Sequence, residues 1–424
     1  MRLALFAVLP VLFAPAFALG QVLTLDSARQ RALTQQPALN ALDLNARALA
    51  AAAPAEGALP DPRLKLGLLN VPARNFPGAP WEDMTQFLIS YEQMLPGGDK
   101  RRLREERALA EAEQAKAESG GQRQAILREV AFAWLDAWQA VAAERSVREL
   151  AYELGRAIEL AQIGVASGRA SQAEVFASRQ MLSMASDRRL ELSAQAEKAR
   201  AALRRWVPDA GTFELPVALP AWRDPPALAA LGENLEHHPQ HAMHLRALGV
   251  ADADVALARE ATASDRTLEV GYALRQGNNR SDMLMLQVTF ELPLFRERKQ
   301  DRLLESKLRL AERAREQRAD HLRQLRAELD AAWTEWRVAG ERLENFNRAT
   351  LPASRARLET LLAAQGSGRA ELSQVLEARR QLVETRVQEI SLNTTRAKAR
   401  AAIEYFEHAA ENHKPEDHKS EDHK

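Results

Sequence analysis

Two periods of apolar residues alternate along this chain. In 268–275, Leu268, Val270, Tyr272 and Leu274 take every second position, separated by Glu269, Gly271, Ala273 and Arg275. In 284–292, Leu284, Leu286, Val288, Phe290 and Leu292 do the same against Met285, Gln287, Thr289 and Glu291. A period of two marks strands with one apolar and one polar face. The polar, glycine-containing run 276–282 between them suits a hairpin loop. A second pair lies earlier: Leu64, Leu66 and Leu68, then Phe87, Ile89 and Tyr91, joined by a Pro- and Gly-rich loop with Trp81. The remaining tracts read as helices. A helix is predicted from Leu25 to about Ala53, with Thr24 or Asp26 as N-cap and Pro60 and Pro62 ending it. From 99 to 166 there is no proline, which predicts one helix about 90 Å long at 1.5 Å per residue. A shorter helix follows to Trp206.

The pattern occurs twice. SGRASQAEVFASRQML, opening at Ser167, is answered by SGRAELSQVLEARRQL, opening at Ser367. ISYEQMLPGGDKRR (89–102) corresponds in order and spacing to VTFELPLFRERKQD (288–301), and Trp134 to Trp333. Even RALTQQP, ending at Pro37, has a counterpart in ENLEHHP, ending at Pro239. Self-similarity this long is a tandem duplication of one structural unit. The predicted organisation is a leader at 1–20 and a first repeat at 21–207. That repeat holds a helix, a hairpin at about 62–95 and a helical hairpin at about 99–206. A proline-rich joint at 208–226 follows. The second repeat, 227–407, has its hairpin at about 267–294 and its helical hairpin at about 299–406, and a tail runs from 408 to 424. Pro352 inside the second long helix predicts a kink or break there.

Composition narrows the class. The 424 residues are 46% hydrophobic and carry 58 basic against 58 acidic side chains, a balance with no electrostatic footprint for nucleic acid. The absence of cysteine excludes disulfides, zinc–thiolate sites and a cysteine nucleophile. Only 5% of residues are aromatic, and long tracts rich in Ala, Leu, Arg, Glu and Gln have the composition of long helices and coiled coils. The N-terminus reads as a secretory signal: Arg2, an apolar core at 3–13, and Ala16-Phe17-Ala18 as the cleavage pattern, with the mature chain starting near Leu19 or Gln21. No later stretch reaches the roughly 18 apolar residues of a transmembrane helix. No Ser-His-Asp arrangement, phosphate-cradling glycine loop or HExxH is present, so no enzyme and no cofactor are expected. Trp134, Trp138, Trp333 and Trp336 have near-helical spacing and read as packing residues.

Strand count bears on architecture. About four strands cannot close a membrane barrel, since the smallest need about eight. An open sheet edge cannot sit in lipid, where each unpaired backbone group costs several kcal/mol. Several chains must therefore share one barrel, two supplying about eight strands or three about twelve.

These residues resemble a known family. The duplicated unit, the step Leu95-Pro96-Gly97-Gly98-Asp99-Lys100-Arg101 into a long helix, and the turns at 168–177 and 368–378 look like TolC-type outer membrane factors, the exit ducts of tripartite efflux pumps. The resemblance covers nearly the whole mature chain, and its specificity lies in the order of the motifs, in duplicate. It implies a mainly α fold with a membrane β-barrel portion: a homotrimer whose barrel of about twelve strands joins a periplasmic α-helical barrel. It also implies outer membrane lipid, a periplasmic adaptor protein and an inner-membrane RND pump as partners. It places the turns at Gly168 and Gly368 at the periplasmic tip. Carboxylates after the second turn form constricting rings in the family; the matching positions are Gln374 and Glu377, with Glu174 in the first copy. Gln374 departs from the acidic pattern. Glu377 is either a ring carboxylate, attracting cations, or a helix charge paired with Arg379 or Arg380. Arg169 and Arg369 are either tip contacts or exposed turn residues.

Eight of the nine histidines cluster. His237, His238, His241 and His244 lie together, with His237, His241 and His244 at helical spacings that put three imidazoles on one face. His408, His413, His418 and His423 recur every five residues in a charged, low-complexity tail. Imidazole with carboxylate suits Zn, Co, Cd, Ni or Cu ions, so the histidines favour the heavy-metal (cobalt-zinc-cadmium type) branch of the family. Both clusters also read as ordinary surface or solubilising residues. Multidrug efflux and type I secretion ducts remain rivals, as does a soluble periplasmic coiled-coil scaffold.

Overall fold

The structure is a computed structural model that describes residues 22–75, 82, 84–166, 171–275 and 281–411. The predicted leader, the turn with Gly168 and Arg169, and the tail histidines His413, His418 and His423 lie outside the described residues. Of His408 only the helical backbone is described.

In chain order the elements are α1 (Leu25–Gln35), α2 (Pro37–Glu56), β1 (Arg63–Leu69), β2 (Gln86–Leu95), α3 (Lys100–Ala166), α4 (Gln172–Arg204), α5 (Leu228–Glu233), α6 (Pro239–Glu260), β3 (Arg266–Arg275), β4 (Met283–Phe290), α7 (Gln300–Asn345), α8 (Leu351–Gly366) and α9 (Leu372–Glu411). The expected mainly α fold with two strand hairpins is present. The predicted first helix is divided, because Pro37 biases Gln36 out of the helical region; Gln36 sits at φ −91°, ψ 106°. Thr24 caps the first segment by accepting the Ser27 N–H at 3.2 Å. Gly120 and Gly121 do not interrupt α3, which runs 67 residues. The second long helix is broken as its proline predicts. Pro352 has no N–H and crowds the carbonyl four residues back, and a π turn, Phe346–Thr350, takes up the misfit between α7 and α8.

The chain divides into two compact units, each drawing on both sequence copies. The first comprises Met1–Gln35, Ile126–Pro225 and Ala332–Ala402. Its core includes Ala143, Val147, Leu150 and Leu154, alternating steps of four and three along α3, packed with Ala185, Leu192, Leu376 and Val383. That is the seam spacing of coiled-coil packing. Trp134 is fully buried, its Nε1–H donating to the Leu23 carbonyl at 2.9 Å. Trp138 reaches the Pro216 carbonyl at 3.0 Å, and Trp333 and Trp336 lie 5.4 Å apart. All four tryptophans therefore pack, as their spacing suggests.

The second unit comprises Gln36–Ala125, Pro226–Ala331 and Ile403–Lys424. It holds an antiparallel sheet in the order β1-β2-β3-β4. The two hairpins join through β2 and β3, whose pairing runs from Gln86↔Arg275 to Leu95↔Arg266. Strands β1 and β4 are its edges. After β2 the chain turns sharply into α3. A Cβ on Gly97 would come within 2.1 Å of the Ser264 carbonyl oxygen, so only glycine fits that approach.

Candidate channel surface and turn residues

Register sorts the sheet into two chemically distinct faces. Leu64, Tyr91, Val270 and Leu286 form one cross-strand row; Leu66, Ile89, Tyr272 and Leu284 form the next. These side chains are exposed, Leu284 at 82% and Leu286 at 74%. The intervening rows carry the charges. Lys65 Nζ donates to Glu269 at 3.0 Å and also binds Glu92, and Ser90 Oγ donates to Glu269 at 2.6 Å. Glu269 is buried and Ser90 almost completely so. An apolar face open to the surroundings, backed by a face of satisfied charges, inverts a soluble sheet and matches a membrane barrel wall. Among the described residues, no helix is long and apolar enough to cross a membrane.

At the foot of the sheet, Lys100 Nζ donates to Asp265 and to the Ala263 carbonyl, both at 2.7 Å, and Asp265 also accepts the Gly97 N–H at 2.8 Å. The Lys100 of the Pro-Gly/Lys-Arg step is thus a buried clamp between the first copy's turn and the segment that leads into β3.

The turn residues take roles set by helix ends. Ser171 and Glu174 form a capping box: Ser171 N–H donates to Glu174 Oε2 at 2.9 Å, and Glu174 N–H to Ser171 Oγ at 3.2 Å. Within this chain the Glu174 carboxylate is engaged by the N-cap N–H of α4. In the second copy Gln374 Oε1 accepts the Glu371 N–H at 3.2 Å. Glutamine can fill this position of a capping box, as glutamate can. Gly368, at φ +71°, ends α8 in a Schellman turn: its N–H donates to the Gln365 carbonyl at 3.0 Å, and the Arg369 N–H to the Ala364 carbonyl at 2.8 Å. Arg369 Nε folds back on Ser367 Oγ at 2.9 Å.

Glu377 is paired. Arg380 grips both its oxygens, at 3.0 and 2.6 Å. That bond, opposed by burial and aided by the charges of Arg380 and Arg357, holds the carboxyl below the usual glutamate range. Arg379 instead meets Glu153 on α3 at 2.8 Å. Of the two readings open in the sequence, this chain by itself shows the ion pair.

Two members of the first histidine cluster, His238 and His241, are built into the packing. His238 is fully buried and caps α6: its Nδ1 accepts the Gln240 N–H at 3.3 Å, and its Nε2 lies 3.1 Å from the Tyr405 carbonyl. Its ring lies 4.5 Å from that of Tyr405. His241 is also buried and accepts Arg318 Nε–H at 3.1 Å. Its ring stacks on His321 at 6.1 Å, and His244 lies 4.3 Å from the same ring. His237 belongs to a 3₁₀ turn before α6, so Pro239 removes it from the face that it would share with His241 and His244. Among the described residues, no three His, Cys, Asp or Glu side chains are placed to hold a metal ion. Burial is the main reason that His241 is pushed down to about 4, helped by Arg318, His321 and His244. His241, His244 and His321 are the histidines that the fold brings together. His321, the ninth and isolated histidine, carried no local signal. Asp254, which binds Arg107 at 2.5 Å and Lys307 at 2.7 Å, had none either.

Residues 28–207 match the family described as outer membrane efflux protein. A comparison with curated proteins found no match. Among solved structures the chain is similar to CusC, at 15% identity and TM-score 0.74, covering 90% of this chain and 91% of that one. VceC of Vibrio cholerae gives 19% identity and TM-score 0.73 over 90% and 95%. The Campylobacter jejuni CmeC outer membrane channel gives 14% and 0.76 over 90% and 85%. At these identities the likeness establishes a shared fold.

Proposed function

We infer that this chain is a member of the outer membrane efflux protein family and forms the exit duct of a tripartite efflux system, passing cargo through the outer membrane. The observation that carries this reading is the sheet: four strands, one exposed apolar face, one charged face and two unpaired edges. Such a sheet is stable in lipid only if β4 of one copy pairs with β1 of the next, so that no backbone group is left unpaired. Closure with three copies, about twelve strands, is the reading favoured by likeness to outer membrane channels; two copies would reach about eight. A periplasmic adaptor and an inner-membrane pump would engage the helical portion. The test is membrane fractionation of the full-length protein, followed by detergent extraction and mass determination. An outer-membrane species of three chain masses is expected. A buffer-soluble monomer or dimer would overturn the duct.

For cargo, heavy-metal cations are the reading supported by the spaced tail histidines His408, His413, His418 and His423. The cluster around His241 lends it no support. Metal resistance unchanged on deleting 409–424 would remove the tail's part in it, and drug rather than metal sensitivity in a strain lacking the chain would favour multidrug export.

A further inference from the structure

The two repeats correspond strand by strand. Asp61-Pro62-Arg63-Leu64-Lys65-Leu66-Gly67, leading into β1, matches Asp265-Arg266-Thr267-Leu268-Glu269-Val270-Gly271, leading into β3. Leu95-Pro96 at the end of β2 matches Leu292-Pro293 after β4. The hairpin registers agree with this match. Arg63 pairs with Glu92 in the first hairpin, and the residues in their places, Thr267 and Thr289, pair in the second. Likewise Leu66↔Ile89 is answered by Val270↔Leu286. The strands are thus offset by two positions less than the long helices, because the second repeat has two more residues between Pro293 and Trp333 than the first has between Pro96 and Trp134.

Within the chain the two repeats meet at β2 and β3, through Ile89↔Tyr272, Tyr91↔Val270, Gln93↔Leu268 and Met94↔Thr267. Strand β4 is the equivalent of β2, and β1 of β3, and these two are the edges of the sheet. The internal register, transferred to the edges, sets Leu286 opposite Leu68, Val288 opposite Leu66, Phe290 opposite Leu64 and Glu291 opposite Arg63. All of β1 then lies against 285–291. The six apolar residues are exposed in the single chain and would meet one another on the apolar face. On the polar face a carboxylate would meet a guanidinium, a favourable cross-strand pair. Arg63 has room for it: its side chain is 79% exposed and lies 3.7 Å from Glu92. Glu291 is exposed as well. A slip of one residue would turn every side chain of one strand to the wrong face. A slip of two in one direction sets Glu291 opposite Asp61, like charge against like. In the other direction it draws Pro293, which has no N–H, into the ladder opposite Arg63.

Building on the shared-barrel reading, we propose that β4 of one chain pairs antiparallel with β1 of a second copy in this register, with Glu291 bound to Arg63 of that copy. The contact between repeats inside the chain is then repeated between chains, whatever number closes the barrel. The sequence contains no cysteine, so introduced pairs report without background. In the full-length protein in its membrane, Val288→Cys with Leu66→Cys, and Thr289→Cys with Lys65→Cys, test the register. These pairs are adjacent, so one of them is of the closely spaced, non-hydrogen-bonded kind. Val288→Cys with Leu64→Cys or with Leu68→Cys tests the slips of two, because diagonal partners lie about 7–8 Å apart, beyond the reach of a disulfide. After mild oxidation, non-reducing gels should show linked chains in at least one in-register variant, at least tenfold above the diagonal pairs and the single variants, and lost on reduction. Glu291→Arg should lower the assembled fraction, and Arg63→Glu in the same chain should restore it. Diagonal pairs that link as well, or no in-register link in a preparation whose mass remains multimeric, would overturn the register and leave the shared barrel standing. An unchanged assembled fraction in Glu291→Arg would overturn the ion pair. A wild-type chain that is monomeric in detergent would overturn both the register and the shared barrel.

Discussion

Lowering the pH through the histidine range should loosen the packing of α6 on α7, and His241 sets the size of the effect. Its imidazole is fully buried and accepts a hydrogen bond from Arg318. A proton on that Nε2 would destroy the bond and set a second cation against Arg318, with His321 and His244 close by. Its pKa is therefore depressed from 6.5 to about 4. The unfolded segment takes up a proton between those values and the folded one does not, so stability falls as pH drops from 6.5 towards 4 and is constant above that window. At about 1.4 kcal/mol per unit the limit is roughly 3 kcal/mol. Relaxation of neighbours around an added charge makes about 2 kcal/mol the working figure, near a thirtyfold change in the opening equilibrium. His244 and His321, also depressed chiefly by burial, add in the same direction. Hydrogen exchange of the α6 amides, corrected for intrinsic rates, measures the opening at pH 7, 6, 5 and 4. Wild type should show the increase. His241→Gln, which keeps an acceptor for Arg318 and cannot be protonated, should lose most of it. A flat profile in wild type, or an unchanged slope in the variant, would refute the reasoning.

Other outcomes follow from single contacts. Gly368→Ala places a Cβ at φ +71° and should cost about 1–2 kcal/mol locally, seen as faster protease cleavage at that turn. Leu286→Arg, on the exposed apolar face of β4, should cost about 2–4 kcal/mol in lipid and reduce the assembled outer-membrane fraction, whereas Gln287→Arg on the polar face should not. Glu174→Ala removes one arm of the capping box and should lower the stability of α4 by about 1 kcal/mol, read by hydrogen exchange of its first turn. Glu377→Gln breaks a pair whose side chains are 40% and 35% exposed, so its thermal cost should stay below about 1 kcal/mol. A larger loss would mean that the pair is sheltered by a neighbouring copy.

Features set by neighbours in the chain are legible in its sequence. Strand faces follow from a side-chain period of two, so the rows through Leu66 and Leu284 were visible before any pairing was known. The break before Pro352 and the turn at Gly368 depend on backbone sterics within a few residues. The signature Ser171-x-x-Glu174 is local too, and it encodes the capping box at the start of α4. The histidines show where such reading ends. Helical spacing grouped His237 with His241 and His244, but Pro239 starts a new helix between them. The partners that decide their chemistry, Arg318 and His321, arrive from another helix, Arg318 lying 77 positions from His241. Likewise the clamp of Lys100 on Asp265 spans 165 positions. By itself the sequence determined the elements, their duplication and which strand face is apolar, because those depend on neighbours in the chain. Tertiary structure alone decided which charges are neutralised and which histidines are buried, because those depend on residues that only packing brings together.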